Sequence, residues 1–213
     1  MARLDATHVI SAADYERVRA EYRARVSADR ARRRIRLGAA ASLQFETAEF
    51  ALWHVQELLR VEGWSLPRVL RTLDDVRPWC PQGPELVATL MLDSGDQTEA
   101  MFLARALRRP GAIVLRAGSA ALRSEVVEAG FSGDPIWYLR WSVTRAWEHA
   151  LGAGCTLTTS WDDALYTLRA ATCAALRTDL IEASGPGQPM LHRLLESTQR
   201  NVQLQRTRHQ TRP

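Results

Sequence analysis

Apolar residues recur along this chain with two periods, and the changes between them divide it into elements. Tyr15, Val18, Tyr22 and Val26 return at helical spacing behind Ser11-Ala12-Ala13-Asp14, a serine with an acid three residues on that reads as a helix start. That helix runs into Arg30, Arg32, Arg33, Arg34 and Arg36, whose charge suits a helix C-terminus. Residues 35–45 pass Gly38, then alternate at Leu43 and Phe45, which predicts one short extended segment.

Residues 48–62 predict a helix closed by Gly63. At about 100° per residue, Ala51, Leu52, Val55, Leu58 and Leu59 form one apolar stripe, and Phe50 and Val61 a second patch nearly opposite. His54 and Glu57 fall around the second patch and Glu62 within the first stripe. A helix covered on two sides would carry these ionisable groups toward the interior, where they are costly unless paired or used.

Beyond it, Ser65 is placed to cap a helix with Pro67 in its first turn and Val69, Leu70 and Leu73 on its apolar side. Residues 78–84 read as a loop and 86–92 as a strand. The turn at 93–96 opens a helix through Ala100, Phe102, Leu103 and Leu107 that Pro110-Gly111 stops. Strands follow at 112–116 and 122–127. Residues 136–143 alternate, with Ile136, Tyr138, Arg140 and Ser142 on one face and Trp137, Leu139, Trp141 and Val143 on the other. A short helix at 144–151, a strand at 155–160 and a helix at 172–182 complete the body. Residues 184–189 are a Gly/Pro linker, and Leu191, Leu194, Leu195, Val202 and Leu204 mark a last helix over 190–213. The expectation is a single α+β domain over residues 1–183, with a mainly antiparallel sheet and packed helices, then a linker and C-terminal helical tail over 184–213.

Composition narrows the chemistry. All 28 basic residues are arginine, so no lysine is present to form a Schiff base or serve a phosphate loop. Cys80, Cys155 and Cys173 lie far apart without CxxC spacing, which excludes a zinc ribbon or disulfide framework. Cys155 and Cys173 are expected to be buried; Cys80, between Trp79 and Pro81 in a loop, is expected to be accessible. With no apolar run long enough to span a bilayer and no apolar leader, a cytoplasmic protein without membrane contact is expected. The net charge is +4 and the pI about 9.4, but no nucleic-acid signature accompanies the arginines, so they read as a solvated helix end and a soluble tail.

Several of these segments together resemble an uncharacterised bacterial domain-of-unknown-function family. Phe45-Glu46 stands for its strand ending in Phe-Glu, and His54-Val55-Gln56-Glu57-Leu58-Leu59-Arg60-Val61-Glu62 for its glutamine- and glutamate-bearing helix. Trp137-Tyr138-Leu139-Arg140-Trp141 stands for its aromatic-Leu-Arg strand, Asp162-Asp163-Ala164-Leu165-Tyr166 for a following segment, and 174–180 for its closing helix. The resemblance covers about residues 12–182. Trp137 and Asp163 replace histidines of that pattern, and His54 replaces a glutamine. Members often sit beside rubrerythrin-like and iron–sulfur proteins, so the resemblance implies a redox or iron setting.

Glu57 and His54 are the candidate catalytic and metal-binding residues, three apart on one helix face, with iron or haem as the candidate cofactor. Glu46, Gln56, Arg60, Glu62 and Arg140 are candidate ligand-binding residues, with Trp53 and Trp141 as walls. The plain alternative is a polar network in which Gln56, Glu57 and Arg60 tie the helix to the sheet. The expected function is binding of a small ligand or a metal or haem cofactor in a bacterial redox or biosynthetic pathway, in an enzyme form a metal- or haem-dependent oxidoreductase-type tailoring step. The alternative is a non-catalytic partner protein docking an enzyme through the C-terminal helix. A homo-oligomer is compatible with either; nucleic acid is the remote third partner.

Overall fold

The computed structural model describes residues 4–93, 96–129, 135–183 and 189–210. Helix α1 spans Ala12–Arg33, and the Ser11 hydroxyl accepts the Asp14 amide at its start. Tyr15, Val18, Tyr22 and Val26 are buried along it, as their spacing predicts. Strands β1 (Arg34–Leu37) and β2 (Ala41–Phe45) follow. The single extended segment read from the sequence is therefore a hairpin. Gly38 makes the difference: its φ of +62° is left-handed backbone, which a glycine adopts at little cost.

Helix α2 (Ala48–Glu62) is capped by Thr47, and α3 (Leu66–Val76) has Pro67 in its first turn. Ser65 sits at the cap position of α3 but its side chain makes no capping bond. Then come β3 (Glu85–Leu92), α4 (Gln97–Leu107), β4 (Ile113–Ala117), β5 (Ala120–Arg123), β6 (Glu125–Ala129), β7 (Ile136–Ser142), α5 (Arg145–Ala150), β8 (Thr156–Thr159), β9 (Leu165–Thr167), α6 (Ala170–Ala183) and α7 (Met190–Gln210). The described strands form two antiparallel sheets, ordered β1-β2-β3-β7-β6 and β5-β4-β8-β9. The chain passes from one to the other at Ser124, a buried corner whose hydroxyl accepts the Ile113 amide. The fold is α+β, as the alternation of elements predicts.

The sheets face each other across one apolar cluster. Leu43, Phe45, Leu90, Trp137, Leu139 and Trp141 enter it from the larger sheet, Ile113, Leu115 and Leu157 from the smaller. The Trp141 indole donates to the Ile113 carbonyl across the gap (3.3 Å). Trp141 is thus core, and the ligand wall expected of it is not there. The other face of the larger sheet is polar: Gln44, Thr89 and Tyr138 lie abreast on β2, β3 and β7. Helices cover that side around a second core built from α1, α2, α3 and the first turns of α7.

Helix α2 is covered on two sides, since Phe50 is buried along with Ala51, Leu52, Val55 and Leu59. Its last turn is not: Val61 is 72% exposed, and the Glu62 side chain is open to solvent beside Arg68. The helix outruns the body there, so the periodic pattern continues after the surface it would bury has ended. Leu191 and Leu194 of α7 are buried against the body, so the start of this helix docks on its own chain. Among the described residues no helix is long and apolar enough to cross a membrane.

Helix α1 ends against α6. The Thr172 hydroxyl donates to the Arg32 carbonyl (2.6 Å), and Arg169 donates to the carbonyls of Ala31 and Arg34, satisfying groups a helix end leaves open. Arg33, buried, forks onto both oxygens of Asp179 (2.9 and 3.0 Å) and reaches Asp29 (3.1 Å). Breaking such a pair on one side strands the other charge. Arg33→Met is expected to destabilise the protein by about 3 kcal/mol in urea denaturation, and adding Asp179→Leu should recover part of that loss.

Candidate functional site

The acids and imidazole of α2 fall into separate networks. Glu57 points to α1, where the Tyr15 hydroxyl (2.7 Å) and the Arg19 fork (2.8 and 3.0 Å) donate to it and Arg60 approaches at 3.5 Å. Arg19's hydrogen bonds, against an opposing desolvation, hold the Glu57 carboxyl down to about 2. Burial and the same carboxylate push the Tyr15 phenol well up. Arg60 also faces Glu16 at 3.8 Å. Gln56 is buried and pins the N-terminal segment, accepting the Ile10 amide (2.9 Å) and donating to its carbonyl (3.4 Å). These three residues tie the helix to α1 and the N-terminal segment, where the sequence reading had them tying it to the sheet.

His54 faces elsewhere. Its ring meets Trp79 edge-on at 5.3 Å, and Trp79 stacks on Tyr138 at 5.8 Å. Burial, then the charge of Arg30, lowers its pKa. His54 and Glu57 therefore share a helix without sharing a target, and both Glu57 oxygens already accept from Arg19. Among the described residues no group of three or more His, Cys, Asp or Glu side chains is placed to hold a metal ion. The donor set does not fit the iron site the spacing suggested.

Arg140 pairs with Glu85 (3.1 Å) and donates to the Pro78 carbonyl (3.3 Å), which locks loop 78–84 onto β7. Cys80 is buried, a correction to the accessible thiol expected. The short helical turn Arg77–Trp79 folds it inward, and burial, then Glu85 and Glu46, push its thiol up to about 12. Such a thiol is unreactive at neutral pH. Cys155 and Cys173 are buried as expected.

Glu46 is the candidate that reaches an open space. It follows the last residue of β2, its amide bonded to the Val87 carbonyl, and accepts the Thr89 hydroxyl at 2.7 Å. At 6% exposure it is close to fully buried, and desolvation raises its pKa against the pull of Thr89 and Arg30. It lines a cavity of about 660 Å³ bounded by the second half of α1, the β2–α2 junction, loop 81–84, the start of β3, α6 and the first turn of α7. The Arg33–Asp179 fork forms part of the same wall.

Sequence reasoning missed most of this wall. Glu49 is an acid in the first turn of α2 that no sequence motif marks. In the fold its carboxylate accepts the amides of Met190 (2.8 Å) and Leu191 (3.3 Å) and the Tyr22 hydroxyl (2.7 Å), so it caps α7. Arg32 and Arg33 read as part of a solvated helix end. The available signal was the i, i+3 and i, i+4 placement of Asp29 before two of the arginines, which marks a structured cluster. Arg193 falls in the segment expected as a C-terminal helical tail, and it lines the cavity. Arg30 lies 5.6 Å from the ring centroids of both Phe50 and Trp53 and so bridges α1 to α2.

Glu57 has a depressed native pKa, so its stabilising effect is complete above its ordinary value of 4.5 and fades as pH falls toward about 2. Urea midpoints of the wild type are expected to drop through that window, whereas Glu57→Gln starts lower at neutral pH and declines less steeply.

No curated relative matches the chain. It is similar to the crystal structure of a novel protein of unknown function from Burkholderia pseudomallei, with a TM-score of 0.71 and 22% identity over 84% of this chain and 99% of that one. At this identity the likeness shows a shared fold. A model for a family described as protein of unknown function (DUF3501) matches residues 3–183, and the chain belongs to that family.

Proposed function

We propose that this protein binds a small polar organic molecule in the cavity beside α1, with Glu46 as the buried polar contact. The observation that carries the reading is Glu46 itself: a carboxyl almost wholly removed from water, with one hydroxyl partner, in the wall of a space of about 660 Å³. That volume falls within the range of small-ligand pockets. A buried acid with one bond costs stability, and a ligand group in the cavity would offset that cost. An accessory or tailoring role in a bacterial redox or biosynthetic pathway rests on the family resemblance alone. The metal or haem alternative has no support from the donor set around His54 and Glu57.

The sign of the Glu46 shift makes a discriminating test. Its native pKa is raised, so the native state holds a proton that the unfolded chain releases, and stability falls as pH rises from 4.5 through the native value. Glu46→Gln removes that loss. The variant is expected to melt no lower than the wild type at neutral pH while losing about tenfold or more in ligand affinity. Thermal-shift measurements on a panel of small organic acids, sugars, amines and nucleosides supply the ligand. Ala28→Trp, on an exposed position lining the cavity, should block binding sterically. Ligands that bind both variants as they bind the wild type would remove the cavity from consideration.

A further inference from the structure

The acids that line the cavity are already engaged. Asp29 pairs with Arg32 and Arg33, Asp179 with Arg33, and Glu85 with Arg140. Glu49 is held by Tyr22 and two amides of α7, and Glu46 by Thr89. Among the lining cations, Arg33 is held twice, Arg32 has Asp29, and Arg25 has Glu21. Arg193 lines the same space with no acidic partner among the described residues. Burial raises the Glu46 pKa against the pull of the Thr89 hydroxyl and Arg30, so its carboxyl has room for a further polar partner. The ionic group left in this wall without a partner among the described residues is Arg193.

The position of Arg193 is also unfavourable for its own helix. It closes the first turn of α7, where the backbone dipole disfavours a cation, and no acid occupies that turn. Glu49 crosses from α2 to occupy the helix end, which seats Met190 and Arg193 at the cavity. Helix α7 begins after residue 183, beyond the stretch the family model matches.

We propose that the cavity takes a small organic anion, its charged group gripped by Arg193 and another polar atom meeting Glu46, and that α7 is the specificity element of the site. This rests on the cavity reading above. Arginine presents a planar fork that suits carboxylate and phosphate alike.

The test is calorimetric titration of the full chain with acetate, succinate, citrate, inorganic phosphate and glycerol phosphate, with glucose as the neutral probe and putrescine as the cationic one. At least one anion is expected to bind, and the better of the carboxylate and phosphate series identifies the head group. Arg193→Ala should weaken that binding about tenfold or more, and Arg193→Glu should abolish it, with melting curves unchanged because Arg193 is exposed. Binding that Arg193→Ala leaves intact, or a panel in which no anion binds, overturns the proposal. If glucose or putrescine binds instead and Ala28→Trp blocks it, the cavity reading stands and the anion inference falls. If an anion binds and Ala28→Trp has no effect on it, both fall.

Discussion

The seam between α1 and α2 sets the positions of everything around it, and two buried tyrosines make that seam. Tyr15 and Tyr22 lie two turns apart on α1, rings edge to face at 6.2 Å, and each hands its hydroxyl to a glutamate of α2. A buried phenol needs a partner, and an acid on the facing helix supplies one at fixed height along the axis. The pairing therefore sets the register of the two helices, which apolar packing alone leaves free to slide. From that register follow the Arg19 fork on Glu57, the seating of α7 on Glu49 and the place of Arg30 against Phe50 and Trp53.

The carboxylates near this seam have opposite fates, and the difference is one of partners. Glu57 accepts from an arginine fork and a phenol, and its pKa falls; Glu46 has one hydroxyl and deep burial, and its pKa rises. The first is satisfied by the fold and contributes to it. The second is a net cost that the fold tolerates. A group of the first kind explains itself structurally, whereas one of the second kind beside a cavity is the ground on which the ligand proposal stands.

What could be read from the sequence follows from how local each signal is. The alternation over β7 put Trp137, Leu139 and Trp141 on one face, and those residues fill the inter-sheet core. The spacing of Tyr15, Val18, Tyr22 and Val26 gave the buried side of α1. Such patterns survive because a face is a property of a single element. Glu46 was legible as a candidate through the Phe-Glu pair that the family resemblance marks at the end of a strand. Its neighbours were not, since Arg33 meets Asp179 across 146 positions and Glu49 meets Met190 across 141. No periodicity encodes such pairs. The spacing of His54 and Glu57 misled for the related reason that the same helix offers two neighbouring directions, one to α1 and one to Trp79.

The last helix docks without altering the domain's core. Its buried leucines, Leu191 and Leu194, extend a cluster that α1, α2 and α3 already form. Its open amides are met by a glutamate of α2 that also holds Tyr22. Docking thus engages groups at the rim of the helical layer and leaves the two sheets undisturbed. The consequence is local to the cavity, where the helix contributes a methionine and an arginine to a wall otherwise built within residues 3–183. An element docked in this way brings polar chemistry to an existing space, while the architecture that forms the space stays the same.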